Sequence, residues 1–262
     1  MTPAGTTRES GSIVVERIRG VLRIELNRPP LNVLDIAMME ALDRTLAAAS
    51  EDPEVRVVLL TGRGRAFCAG VDVADHTEER VEPMLRAFHG VIERLLHLEI
   101  PVVAAVNGAA LGGGCELMLA ADIVLARVDA VLGQPEIRLG LFPPAAAVLL
   151  PRLVGRQTAL DLLLSGRTVK MSEAQGLGLV GRVFPVDRFR EEVDAYVEAM
   201  AGLSRPVLRL TRRTVRETEE LPLTEALRRA ESIYRDDLME LDDPHEGLAA
   251  FLEKRQPVWA HR

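Results

Sequence analysis

Residues 101–136 read PVVAAVNGAALGGGCELMLAADIVLARVDAVLGQPE. Within them Val102–Val106 is a short, mostly β-branched run bounded by Pro101 and by Asn107-Gly108, the pattern of a buried strand stopped by a turn. Gly112, Gly113 and Gly114 then precede CELMLAA, a set of mostly good helix formers, so the glycines stand where a helix begins. The first turn of a helix carries N–H groups with no intrahelical acceptor, and glycines there let another molecule reach the backbone. A negative charge developing at such a point would be stabilised.

The glycine cluster admits several readings. Gly108, Gly112, Gly113 and Gly114 do not have the G-x-G-x-x-G spacing of a dinucleotide fingerprint, and Gly114-Cys115-Glu116 lacks the Lys-Ser/Thr of a P-loop. Close packing of a helix on a strand remains open for any G-G-G. Two glutamates add weight to a functional reading. Glu116 falls in the first turn of a helix between apolar segments, where a carboxylate gains from the helix dipole but must be solvated or used. Glu136 follows strand-like residues 123–126 and 130–132 and the turn Gly133-Gln134-Pro135, its approach constrained by the proline.

Working outward, the alternating runs 13–18 and 21–26 meet at Arg19-Gly20 and predict a hairpin. Met38, Met39, Leu42, Leu46 and Ala49 recur at helical spacing after Asp35, a suitable N-cap, until Glu51-Asp52-Pro53 closes the pattern. Residues 55–60 then read as a buried strand ended by Thr61-Gly62-Arg63-Gly64. Strand pair, helix and strand recur, although periodicity alone equally permits an open α/β sheet. Residues 75–98 read as a loop entering a long helix with the apolar stripe Val81, Met84, Leu85, Phe88, Val91, Ile92 and Leu95. Downstream, a helix is expected from about Pro144, and others over 157–164, 172–176, 188–201, 206–220 and 223–241, with Ser204 and Thr224 as caps. Arg209, Arg212, Arg213 and Arg216 are followed at once by acidic residues, which reads as a mixed-charge solvated face.

With 262 residues and 48% hydrophobic content the chain can bury a sizeable core. A formal charge of −7 argues against nucleic acid as a partner. The polar opening MTPAGTTRESGS has no apolar stretch of signal-peptide length, so a cytoplasmic protein with a frayed N-terminus and no membrane partner is expected. Cys68 and Cys115 are too few for a disulfide framework and read as small buried residues. His76, His89, His97, His245 and His261 show no metal-ligand spacing, so no metal site is expected.

NGAALGGGCEL, GQPEIRLG and the upstream GRAFCAGVD resemble the three signatures of the crotonase, or enoyl-CoA hydratase/isomerase, superfamily, in its order and spacing. The likeness runs from Leu26-Asn27-Arg28-Pro29 to Phe251-Leu252-Glu253-Lys254-Arg255. It implies an α/β fold, a crotonase-like (ClpP/crotonase) spiral of β-β-α units over residues 1–202, with a C-terminal helical oligomerisation region over 203–262 that builds a homotrimer or homohexamer. By the resemblance, the N–H groups of Val71 and Gly113 form an oxyanion hole, and Glu116 and Glu136 are the acid–base pair. Ala69 and Val73 match main-chain positions at the adenine end of coenzyme A, with Asp72 between them. Arg65 matches a basic position near its phosphates, and Lys254 one near its adenine-ribose end. Where the family often has a lysine two residues beyond Asp72, this chain has Ala74.

A second departure follows Glu136. Many hydratases of the family carry a G-x-G-G-T segment there, and this chain has Leu141-Phe142-Pro143-Pro144-Ala145-Ala146. Together with VDVADHTEERVEPMLRAFHG, this LFPPAAAVLLPRLVG stretch is similar to cyclohexa-1,5-diene-1-carbonyl-CoA hydratases. The chemistry implied is hydration of an α,β-unsaturated acyl-CoA thioester. An enolate oxygen would lie against the N–H groups of Val71 and Gly113. Glu116 is assigned to activating water and Glu136 to protonating the α-carbon, although the sequence alone does not order the two. No cofactor is needed, coenzyme A entering as part of the substrate. A Δ3,Δ2-enoyl-CoA isomerase of the same fold commonly retains only one of the two carboxylates. A non-catalytic acyl-CoA binding protein would need neither, and a dinucleotide oxidoreductase is disfavoured by the missing fingerprint.

Overall fold

The computed structural model describes residues 6–262, with side chains described from residue 11 onward. Strands β1 (Thr6–Ser10), β2 (Ile13–Ile18) and β3 (Val21–Leu26) form an antiparallel meander. Its second turn is the predicted Arg19-Gly20, with φ of 51° and 85°. The opening segment, expected to fray, instead supplies β1, paired with β2 from Thr6↔Arg17 to Ser10↔Ile13, and residues 1–5 lie outside the described residues.

Three further passages of the chain repeat one plan. After α1 (Ile36–Glu51), capped by Asp35 accepting from Met38 N at 2.8 Å, come β4 (Val57–Gly62), β5 (Ala66–Cys68), a 3₁₀ turn (Val73–His76) and α2 (Val81–His97). Then follow β6 (Val102–Val106), β7 (Ala109–Leu111) and α3 (Gly113–Leu119). The third passage is β8 (Ile123–Arg127), β9 (Val131–Gly133), a 3₁₀ turn (Pro135–Leu139) and α4 (Pro144–Ser165). Next come β10 (Thr168–Lys170), α5 (Met171–Gly176), β11 (Arg182–Phe184) and α6 (Phe189–Ala201).

The first strand of each passage joins a seven-stranded sheet, β1-β2-β3-β4-β6-β8-β11, and the second joins a four-stranded sheet, β10-β9-β7-β5. Neighbours β4, β6 and β8 are parallel in one sheet, and β5, β7 and β9 in the other. A parallel bridge between Leu34 and Val71 gives the β3–α1 passage the same form. This is the expected spiral of β-β-α units. Buried asparagines fix two of its corners. Asn107 accepts from Gly62 N at 3.0 Å and donates to Gly64 O and Ala66 O, while Asn32 donates to Arg63 O, Ala66 O and Phe67 O.

Alternate residues of the central strands feed two cores. Val58 and Leu60 of β4 join the main core between sheets and helices, whereas Val57 and Leu59 face Phe189, Val193 and Val197 of α6 on the other side.

Several boundaries differ from the sequence reading. β4 begins at Val57 because Val55 N is bonded to Asp52 O in a turn, and β9 begins at Val131 because Ala130 N is bonded to Arg127 O. Residues 157–164 continue α4, which breaks at Gly155 (φ 74°, ψ 160°). The C-terminal region comprises α7 (Arg205–Thr218), α8 (Leu223–Ser232), a π turn (Ile233–Leu238) and α9 (Asp242–Glu253). Ser204 caps α7 as expected. Pro222, not Thr224, occupies the cap position of α8, which places Thr224 inside its first turn. Nor is the arginine run simply a solvated face. Arg212 is nearly buried, bonded to Asp122 and to the carbonyls of Leu95, Leu96 and Leu98, and so fastens α7 to the end of α2.

Candidate active site

The three glycines at the start of α3 do three different things. Gly112 has φ 51° and ψ −127°, a conformation that favours glycine, and its N–H is bonded to Gly133 O at 2.9 Å. A methyl group on Gly112 would stand 2.5 Å from Glu136 Oε1; one on Gly113 would stand 2.7 Å from Val71 Cγ2 and 3.3 Å from Phe88 Cζ. One on Gly114 would run into the Cys68 carbonyl, so Gly114 alone performs the close-packing role. As the first residue of α3, Gly113 has no acceptor for its N–H within the helix. Leu34 donates to Gly70 O at 2.9 Å and accepts from Asp72 N at 2.8 Å, so Leu34 bonds the residues flanking Val71. In a parallel pairing this turns the N–H of Val71 to the opposite side.

Glu116, one turn into α3, is 3% exposed, and its Oε1 accepts from Ala146 N at 2.8 Å at the start of α4. Burial pushes its carboxyl from the ordinary 4.5 up to about 7, the N–H groups of Ala146 and Ala145 opposing and the charge of Glu136 adding. Pro144 has no N–H, so the alanines after the proline pair are what the helix offers this carboxylate. Glu136, half-buried in the second 3₁₀ turn, is also raised by burial, with a backbone N–H and the charge of His76 opposing. Its Oε2 is buried without a hydrogen-bond partner among the described residues, as are both amide atoms of the neighbouring Gln134.

The structure therefore brings Glu116, Glu136, Val71 and Gly113 together around one helix start. It treats the expected coenzyme A positions differently. Arg65 and Val73 are exposed, and Ala69 N is bonded to Leu31 O at 3.0 Å. Asp72 is engaged within the protein, accepting from Ala74 N and pairing with Arg28 at 3.0 Å, which holds its carboxyl below the usual range. Lys254 lies exposed at the end of α9 in a left-handed conformation (φ 54°).

Two residues at the site escaped the sequence reading. Gln134 looked like part of a turn, and His76 was weighed only as a metal ligand. Its ring Nδ1 lies 3.0 Å from Asp72 O, a contact its position four residues after Asp72 allows. Both cysteines are buried, and burial pushes the Cys68 thiol up to about 12 and that of Cys115 higher still. A cavity of about 700 Å³ between the end of α2, α7 and the π turn is lined by Arg209, Arg212, Arg213 and Arg216, and shares no residue with the carboxylate site.

The family profile described as enoyl-CoA hydratase/isomerase matches residues 16–262. The chain is 38% identical over 248 residues to a cyclohexa-1,5-dienecarbonyl-CoA hydratase of Thauera aromatica, covering 95% of this chain and 96% of that one. It is 37% identical over 253 residues to a 2,3-dehydroadipyl-CoA hydratase of Escherichia coli K12, covering 95% and 99%. The crystal structure of an enoyl-CoA hydratase from Bacillus anthracis superposes with a TM-score of 0.90 at 34% identity, covering 98% of this chain and 99% of that one.

Proposed function

The chain belongs to the enoyl-CoA hydratase/isomerase family, and from that premise we propose that it adds water across the C=C bond of an α,β-unsaturated acyl-CoA thioester. The observation that carries the reading is the meeting of a buried and a half-buried carboxyl, each pushed upward by burial, at a helix start beside Val71. Water bound at Glu116 gives a proton to that carboxylate as its oxygen attacks the β-carbon. Electron density moves to the thioester oxygen, which the N–H groups of Val71 and Gly113 stabilise. The α-carbon then takes a proton from Glu136. Two backbone N–H groups favour the charged form of Glu116 against one at Glu136, whose Oε2 is unbonded, which supports Glu116 as base and Glu136 as acid. Close carboxyls also resist ionising together, so one proton shared between them suits the task.

The acyl group is read as an alicyclic diene. Identity does not choose it, since the two hydratases above act on different acyl groups at nearly equal identity. The reading rests instead on Leu141, Phe142, Pro143 and Pro144, which lead into the helix that holds Glu116. Presence of both glutamates favours hydration over double-bond isomerisation and over acyl-CoA binding alone. The test is the loss of enoyl-thioester absorbance with crotonyl-CoA and with cyclohexa-1,5-diene-1-carbonyl-CoA. Glu116→Gln and Glu136→Gln should each lower kcat by about 10² to 10⁴ while the thioester still binds. Variants as active as the parent would remove the two-carboxylate mechanism.

A further inference from the structure

In a planar trans peptide the C=O and the N–H point in opposite directions, so whatever holds Gly70 O also aims the N–H of Val71. Leu34 N holds it, at 2.9 Å. Gly70 itself has φ 119°, a conformation that favours glycine. Leu34 and Val71 meet in an isolated bridge outside the named strands, with no longer ladder on either side to fix its register.

Arg28, just beyond β3, fixes it from the side. Its three guanidinium nitrogens have three different partners: Nη1 donates to Val33 O at 2.9 Å, Nη2 donates to Asp72 Oδ2 at 3.0 Å, and Nε lies 3.3 Å from Asp35 Oδ2. Val33 and Asp35 flank Leu34, and Asp72 follows Val71, so one side chain ties together both halves of the bridge. Each carboxylate is held in turn. Asp35 caps α1 by accepting from Met38 N, and Asp72 Oδ1 accepts from Ala74 N. The backbone of Arg28 is also fixed: its N donates to Asn32 Oδ1 at 3.1 Å and its O accepts from Asn32 N at 2.8 Å. Asn32 is fully buried and bonded to the corner between β4 and β5.

From this arrangement we propose that Arg28 is a positioning residue for the oxyanion hole, its fork holding Asp72 and the Val71 backbone against Leu34 so that the N–H of Val71 stays aimed at the thioester oxygen. The fork matters and not the charge alone. A lysine keeps the charge but offers one nitrogen where three partners stand apart. Arg28 acts through Asp72 and Leu34 and does not touch the reacting atoms.

The clamp rests on the hydratase reading, and one set of measurements separates the two. Arg28→Lys and Asp72→Asn each break the contact from one end, and the double variant breaks it from both; Asp72→Asn keeps an oxygen for Ala74 N. All are assayed on crotonyl-CoA and cyclohexa-1,5-diene-1-carbonyl-CoA, with Tm alongside. The wild type should hydrate at least one of them. Each single variant should lose about 10- to 100-fold in kcat with KM within about threefold, and the double variant should lose little more than the worse single one. A general loss of stability would not move the carbonyl stretch of the bound thioester, labelled with ¹³C at its C=O and read by infrared spectroscopy with Glu136→Gln present throughout to slow turnover. That stretch should lie below its solution value when Arg28 is present and return toward it in Arg28→Lys and in Asp72→Asn. Unchanged kcat, a loss carried by KM, single losses that add in full, or an unmoved stretch overturns the clamp and leaves hydration standing. Should Arg28→Lys fail to fold, Asp72→Asn decides on its own kcat, KM and stretch. A wild type that hydrates neither thioester removes the hydratase reading and the clamp with it.

Discussion

Glu116 shows how one side chain couples stability to chemistry. Its carboxyl titrates at about 7 in the folded chain, against an ordinary 4.5. The folded protein therefore holds this proton more tightly than the unfolded chain does. Its contribution to stability is full below about pH 4.5 and is lost as pH rises through about 7, a swing of roughly 3 kcal/mol. Glu116→Gln has no such proton to lose and can still accept from Ala146 N. Calorimetry should find the variant gaining on the wild type between pH 5 and pH 8, and a constant gap in Tm across that range would contradict the buried, raised carboxyl. The position of Glu116 was legible, because a carboxylate in a helix's first turn between apolar runs has few ordinary uses. Its partner was not. Ala146 contributes only a backbone N–H, which no side-chain pattern announces, and the same holds for the unbonded amide of Gln134.

At the level of elements, α3 sits on β5 and β7 through glycines that look identical in sequence and differ in consequence. Gly113→Ala pushes against Val71 and the tip of Phe88 and would disturb the proposed oxyanion donor. It should cost roughly 10² to 10³ in kcat. Gly114→Ala forces a methyl group into the Cys68 backbone and should cost roughly 3 kcal/mol of stability instead. Parallel denaturation and rate measurements check the contrast, and equal effects of the two on both readouts would contradict it. Long elements were legible, α1 from its stripe and its Asp35 cap and α2 from its stripe. β5 and β7, three residues each, are too short to show any period, and although the start of α8 at Leu223 was legible, its cap was not, because proline took the position that Thr224 seemed to offer.

Across the whole molecule, each passage of the spiral adds one strand to each sheet, and the corners between sheets bring Val71, Gly113 and Glu136 together from distant parts of the chain. Alternation of strands and helices did not distinguish this spiral from an open sheet; the order of the three motifs did. The C-terminal helices leave Leu223, Leu227, Phe251 and Leu252 exposed, which supports the proposed homotrimer or homohexamer. Light scattering should then give about three or six times 28.7 kDa, and a particle of single-chain mass would count against assembly. The most direct test of the central claim follows the atoms of water. The purified protein is incubated with cyclohexa-1,5-diene-1-carbonyl-CoA, and separately with crotonyl-CoA, in ¹⁸O-labelled water, and the products are weighed by mass spectrometry. Two carboxylates acting on an enoyl thioester at an oxyanion hole predict a product carrying one ¹⁸O, absent with Glu116→Gln and Glu136→Gln. A rearranged double bond with no oxygen gained, or an unchanged thioester that merely stays bound, would contradict it.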